Sequence, residues 1–253
     1  MNKQKALVLD IETSLMKVYV FELGEQYVGI DQIDEDWFVM AWAAKWEGEP
    51  DSKLIYRDVR HSIGDDKKML KELWKLLDEA DIIITQNGKK FDSRKINARF
   101  MVHGMPPPKP YSHIDTYRLV KAVAAHTSNK LEYLTKKLNK KHKKTSHRKF
   151  PGKSLWIECM KGNMEAWNEM KLYNIDDVLS TEELHTNIRA WAPESLPKMY
   201  PLAPNETKCT TCGFIGKMRE GRDRIGKRGI YTQNSCPKCG SWQTPTKKKE
   251  KSK

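Results

Sequence analysis

Nothing in this 253-residue sequence is apolar for long enough to enter a membrane. Its first apolar run, residues 6–9, ends at an aspartate after four residues, far short of the apolar core of a secretory signal. The expectation is a soluble, cytoplasmic protein with no membrane partner. Cysteine is also scarce: five in the whole chain are too few for a dense disulfide scaffold, and in a reducing compartment their uses narrow to metal binding or burial. Cys159, near Ile157 and Met160, reads as a small buried residue. The seven histidines form no convincing ligand pair, and His142 and His147 lie among lysines, where they are expected at the surface. Acid is in deficit: 33 Asp and Glu face 46 Lys and Arg, so the formal net charge is +13 and the pI about 9.4, which points to a polyanionic partner.

That charge is local. Residues 136–149 hold eight cations and no acid, residues 205–245 hold eight against three, and residues 246–253 five against one. These windows carry +17 and leave the rest of the chain at −4, the distribution of a nucleic-acid footprint. The segment 136–149 contains no acid to neutralise it, so an exposed loop or frayed helix is expected, with Lys140, Lys141, Lys143 and Lys144 as phosphate contacts.

Hydrophobic periodicity predicts strands at residues 6–9, 17–23, 26–33, 37–46 and 53–57, joined by polar turns. A helical pattern follows from residue 65, with Met69, Leu70, Leu73, Trp74, Leu76 and Leu77 as its apolar positions. Residues 82–85 read as a buried strand, and a basic helix runs from Asp92 to about His103. After a proline-rich connection, Asp115 is expected to cap a helix through Val123. Residues 131–138 and 163–191 carry two more helices.

Three fragments bear the chemistry. Asp10 and Glu12, two apart on an extended strand, project to one side and can share a divalent ion. Asp92 falls at a strand-to-helix junction. Tyr173 and Asp177, four apart, share a helical face; that spacing selects Asp177 over its neighbour Asp176. Four such carboxylates repel one another unless hard cations neutralise them. In this order the fragments D-I-E, N-x-x-x-F-D and Y-x-x-x-D resemble the motifs of the tyrosine-type DEDD 3′→5′ exonucleases of the RNase H-like superfamily, which include the proofreading domains of family-B DNA polymerases and stand-alone prokaryotic and phage exonucleases. The resemblance covers residues 1–192 and implies an α/β fold, a mixed sheet flanked by helices. It further implies that Asp10, Glu12, Asp92 and Asp177 hold two Mg2+ or Mn2+ ions, that Tyr173 orients the attacking water, and that Thr13, Asn87 and Phe91 lie near the terminal nucleotide.

A second module is marked by Cys209 and Cys212, then Cys236 and Cys239, two CxxC knuckles each followed by glycine. Four thiolates at this spacing suit one structural, tetrahedral Zn2+, and the segment resembles a zinc ribbon. The expected organisation is therefore a nuclease domain at 1–192, a proline-rich linker at 193–204, the ribbon at 205–245 and a basic tail at 246–253. Trp37, Trp42, Trp46 and Trp74 are expected in the core, Tyr231 and Trp242 as stacking surfaces. The leading expectation is a metal-dependent 3′→5′ exonuclease acting on single-stranded DNA, with a replication or repair protein as a further partner. A 3′→5′ exoribonuclease and a catalytically retired nucleic-acid-binding accessory protein are the alternatives.

Overall fold

The computed structural model describes residues 4–144, 149–193, 200, 208–226 and 229–243. The elements in chain order are β1 (Ala6–Thr13), β2 (Lys17–Val18), β3 (Ile33–Glu35), β4 (Val39–Trp46), β5 (Ile55–Asp58), α1 (Lys67–Glu79), β6 (Ile82–Thr85), α2 (Asp92–Val102), β7 (Ser112–Asp115), α3 (Thr116–Val123), α4 (Leu131–Leu138), α5 (Ser154–Met160), α6 (Met164–Ile188), β8 (Arg219–Gly226), β9 (Gly229–Ser235) and β10 (Trp242–Gln243). The main sheet has the order β5-β4-β1-β6-β7. Strand β1 pairs antiparallel with β4 on one side and parallel with β6 on the other, and β6 continues parallel to β7. This is the mixed sheet flanked by helices of an RNase H-like fold.

The central place of β1 follows from its composition. Alternate side chains of a strand leave opposite faces, so a run buried throughout requires layers on both. Leu7, Leu9 and Ile11 share a cluster with Leu70, Leu73 and Leu77 of α1 and with Ile96 and Phe100 of α2. Ala6 and Val8 share another with Ile84, Ile114 and Val178 of α6. The face of β1 that begins with Ala6 and Val8 therefore runs on into Asp10 and Glu12, on the side where α6 passes.

Strands over 17–23 and 26–33 are not found. Only β2 and β3 pair there, and residues 19–29 leave the ladder. Phe21, Leu23 and Tyr27 are fully exposed. Strand-favouring residues form a strand only where a neighbouring strand and a covered face exist, and residues 19–28 are exposed throughout, with no layer covering them. Helix α5 and strand β7 were not evident in the sequence pattern, each being short and bounded by turns. Trp42 is fully buried, Trp37, Trp46 and Trp74 pack partly buried against the same core, and Cys159 is fully buried within it.

A three-stranded antiparallel sheet of order β10-β9-β8 holds the cysteine-bearing segment. Within it Trp242 is exposed and Tyr231 half-buried. Most of the expected linker at 193–204, all of the tail at 246–253 and residues 145–148 of the basic segment lie outside the described residues. Among the described residues no helix is long and apolar enough to cross a membrane.

Candidate active site

Strand β6 pairs with β1 only through Val8, which leaves the backbone N–H of Ile11 beyond the ladder. Asp92, the first residue of α2, supplies the missing acceptor: its Oδ1 takes that N–H at 3.1 Å. The turn that brings it there is tight. Asn87 has a left-handed backbone (φ 63°), and Asp115 clamps the turn by accepting from the Asn87 and Lys89 amides at 2.9 and 3.1 Å while also capping α3 through Tyr117. Asp115 is thus the cap its sequence position suggests, with a second duty on the neighbouring turn.

Gly88 lies against both sides of this arrangement. A Cβ there would stand 2.4 Å from Thr85 Oγ1 and 2.7 Å from Asp92 Oδ2, closer than atoms pack. Gly88→Ala is expected to cost about 1–3 kcal/mol of stability through overpacking. It should also displace Asp92 from the Ile11 N–H, so a denaturant titration should show a lowered midpoint. An unchanged midpoint would mean the turn relaxes freely.

Helix α6 completes the cluster. One oxygen each from Asp10, Glu12 and Asp177 lies within 4.8 Å of the others; Asp92 is outside this trio, held on the Ile11 backbone N–H and close enough to raise the Asp10 carboxyl by repulsion. Asn174, fully buried beside Tyr173, donates to Asp10 Oδ2 at 2.6 Å. Trp156 of α5 donates its indole N–H to Glu12 Oε2 at 3.1 Å. Burial, then repulsion from Asp177, Asp92 and Glu12, raises the Asp10 carboxyl well above its ordinary range. Burial, then Asp177, lifts Glu12 to about 8, and burial lifts Asp92 to about 7 against the opposing bond from Ile11. Burial raises Asp177 as well, with Lys144 opposing.

Lys144 departs from expectation. Instead of standing in a solvated loop for phosphate contacts, its ammonium reaches Asp177 Oδ2 at 2.6 Å and donates to the Tyr173 hydroxyl at 2.7 Å, over the Tyr173 ring. Part of the basic segment is held by acids from outside it: Lys141 pairs with Asp51 at 2.6 Å, Lys149 pairs with Glu165, and the Glu183 carboxylate accepts the backbone N–H groups of 140, 141 and 142. A loop without acids attracts acids from elsewhere in the fold, and here it is pinned by them. Lys140 and Lys143 remain exposed, as do Asn87 and Phe91, while Thr13 ends β1 half-buried.

The Asp10, Glu12 and Asp177 trio fits a hard divalent cation. Asp177 Oδ1 is buried without a hydrogen-bond partner, one ammonium is already drawn among the carboxylates, and an all-oxygen donor set of this charge suits Mg2+ or Mn2+. Cys209, Cys212, Cys236 and Cys239 also converge. Their sulfurs stand 3.7 Å apart in the pairs Cys209–Cys239 and Cys212–Cys236. Zinc–sulfur bonds of about 2.3 Å in a tetrahedron put sulfurs about 3.8 Å apart, so the donor set and its spacing fit zinc.

Lys144 lies at the acidic cluster rather than in a solvated loop, and three further residues support that cluster: Asn174, Gly88 and Trp156. Asn174 could have been found from its adjacency to Tyr173 on a helix facing β1, and Gly88 from its Asn-Gly turn. No local signal marks Trp156, which lies 144 positions from Glu12. The model of the RNase H superfamily matches residues 7–189 of this chain. Among solved structures, that of the family B DNA polymerase from the hyperthermophilic archaeon Pyrobaculum calidifontis aligns over 75% of this chain at 14% identity and a TM-score of 0.49, and the chain spans only 26% of that polymerase. No curated protein matches the sequence.

Proposed function

Because the chain belongs to the RNase H superfamily, we propose that it is a metal-dependent 3′→5′ exonuclease acting on single-stranded DNA ends. The observation that carries this reading is the convergence of Asp10, Glu12 and Asp177 within 4.8 Å, with Asp92 hung on Ile11 beside them. Polarity is supported by the order and spacing of the motifs, above all Tyr173 one helical turn before Asp177. Asp10, Glu12, Asp92 and Asp177 would hold two Mg2+ or Mn2+ ions. When bound, such ions supply Lewis-acid stabilisation to the attacking and leaving oxygens of an in-line displacement.

The chain's own groups prepare that displacement. Burial, then Asp177, pushes the Tyr173 hydroxyl up to about 12, so it is protonated at neutral pH and serves as a hydrogen-bond donor that orients water rather than as a base. Lys144 occupies an oxygen lone pair of that hydroxyl, which aims its proton away from the lysine. Asn174 and Trp156 each take one oxygen of Asp10 and Glu12 and leave the other free. Exposed Phe91 offers a face on which a terminal base can stack, with Asn87 close by in sequence on the preceding turn. An unpaired end suits such a contact because its last base is free to leave the stack. A ribbon on one Zn2+ would add basic surface for the strand, with exposed Trp242 for stacking.

Matched DNA and RNA oligomers labelled at either end, incubated with Mg2+ and with EDTA, test the reading. The expected result is immediate release of labelled mononucleotide from a 3′-labelled DNA, a progressive ladder from the 5′-labelled one, and silence in EDTA. Faster degradation of RNA would move the substrate to that polymer. Internal cuts, or no hydrolysis by the folded protein, would overturn the exonuclease assignment.

A further inference from the structure

Resting on the metal-dependent reading of this site, we infer that Trp156 is a positioning residue that fixes Glu12 and Tyr173 together and reserves one oxygen of Glu12 for the metal. Its helix is firmly seated: Leu155 and Cys159, on either side of it in α5, are fully buried in the main core, and α5 packs on α6. From that seat the indole makes two contacts with the site. Its N–H donates to Glu12 Oε2 at 3.1 Å. Its ring meets the Tyr173 ring edge to face, with centroids 5.9 Å apart and planes at 80°.

The chemistry of the two ends differs usefully. Indole N–H is a donor with no acceptor capacity, so it can hold Glu12 only through a lone pair of the carboxylate and cannot take a proton from it. A glutamate on a strand end has free torsions, and ordering them costs conformational entropy each time an ion binds. A hydrogen bond from a seated helix removes that cost beforehand and leaves Oε1 for the ion. The edge contact meanwhile sets the plane of Tyr173 and hence the arc on which its hydroxyl proton lies. One side chain thereby couples an ion ligand to the water-orienting group, although neither is near it in sequence.

Trp156→Phe keeps an aromatic edge for Tyr173 and removes the N–H. Calorimetric titration with Mn2+ in the absence of nucleic acid should show a dissociation constant raised about tenfold, the lower end of the range for losing an outer partner of a metal ligand. The melting temperature in EDTA should stay near that of the parent, and activity should return to within a few-fold of the parent at saturating Mn2+. A purely structural role would lower the melting temperature and leave Mn2+ affinity alone. Trp156→Leu, which also removes the edge, should keep a lowered turnover at saturating Mn2+, and adding Tyr173→Phe to it should cost little more. If neither variant folds, the indole N–H resonance of Trp156 in the parent should shift during a Mg2+ titration with the midpoint found by calorimetry; a stationary resonance would overturn the inference.

The outcomes separate the two readings. Parent protein that binds Mn2+ and cleaves, alongside a Trp156→Phe variant of unchanged affinity, overturns the role of Trp156 and leaves the nuclease standing. Parent that binds Mn2+ without cleaving, alongside a weakened variant, supports Trp156 as a metal-site positioner and overturns the nuclease. Parent that binds no Mn2+ overturns both.

Discussion

Asp10→Asn and Asp177→Asn should each lose at least about 10³-fold in hydrolysis, and Asp10→Asn should fold as well as the parent or better. An ion's stabilisation of the transition state is worth several kcal/mol, and each 1.36 kcal/mol is tenfold in rate, so losing about 4 kcal/mol gives that factor. The stability side follows from the acids themselves. Their pKa values are raised in the fold, so relative to the unfolded chain they favour folding most at low pH, and that contribution is lost as pH rises through the folded values. For Glu12 the window runs from its ordinary 4.5 to about 8, and for Asp92 from 3.8 to about 7. In EDTA the melting temperature of the parent should therefore fall across this range, and Mn2+ should reverse the fall. Removing one charge from the cluster relieves it at pH 7. Asp10→Asn, which can keep its acceptor toward Asn174, should melt about 2–4 °C above the parent in EDTA if the relief is worth about 1 kcal/mol in a chain of this size. Near-parental hydrolysis by either purified variant would end the metal-dependent reading, and a lower melting point for Asp10→Asn in EDTA would contradict the electrostatics.

The second large effect belongs to the cysteines. Protein purified without chelator should carry one Zn2+ per chain, and stripping it should unfold residues 208–243 while the mixed sheet and its helices persist. The core of this segment consists of Cys209, Cys212 and Cys236, with Phe214, Met218 and Cys239 packed against them. Such a core is too small to offset the entropy of ordering a three-stranded sheet. Binding of structural zinc contributes about 10–16 kcal/mol in small finger peptides at neutral pH, so the ion decides whether the segment folds. Limited proteolysis after chelation should cut within 208–243 first, with the thermal transition of the remainder unchanged. Cys236→Ser should behave as the stripped protein does. Absence of zinc by elemental analysis, or protease resistance after chelation, would refute it.

What was legible in the sequence is what local geometry encodes. Alternation on a strand places Asp10 beside Glu12, a helical turn places Tyr173 by Asp177, and knuckle spacing gathers each cysteine pair. These follow from covalent connectivity and two backbone periods. The illegible parts depend on contacts made across the fold. Lys144 looked like one more solvated cation because its partner Asp177 lies 33 positions on, and the donor to Glu12 lies 144 away. Residues 17–33 failed for the converse reason: their composition favours strands, but a strand also needs a neighbour, which composition does not report. The residues that support the acids were therefore harder to find than the acids.

The separation of Asp10 from Asp177 by most of the mixed-sheet portion of the chain also bears on how the protein is made. Strand β1 emerges first during synthesis and β4 and β6 can enclose it, yet α6, which packs on β1, β4 and β6 and brings Asp177, comes last of the helices. A nascent chain that has not yet delivered α6 presents an incomplete acidic cluster, because Asp177 joins Asp10 and Glu12 only when that helix packs on β1. The long-range order of these carboxylates thus makes the acidic cluster a late product of the fold: it exists only once α6 has docked on β1.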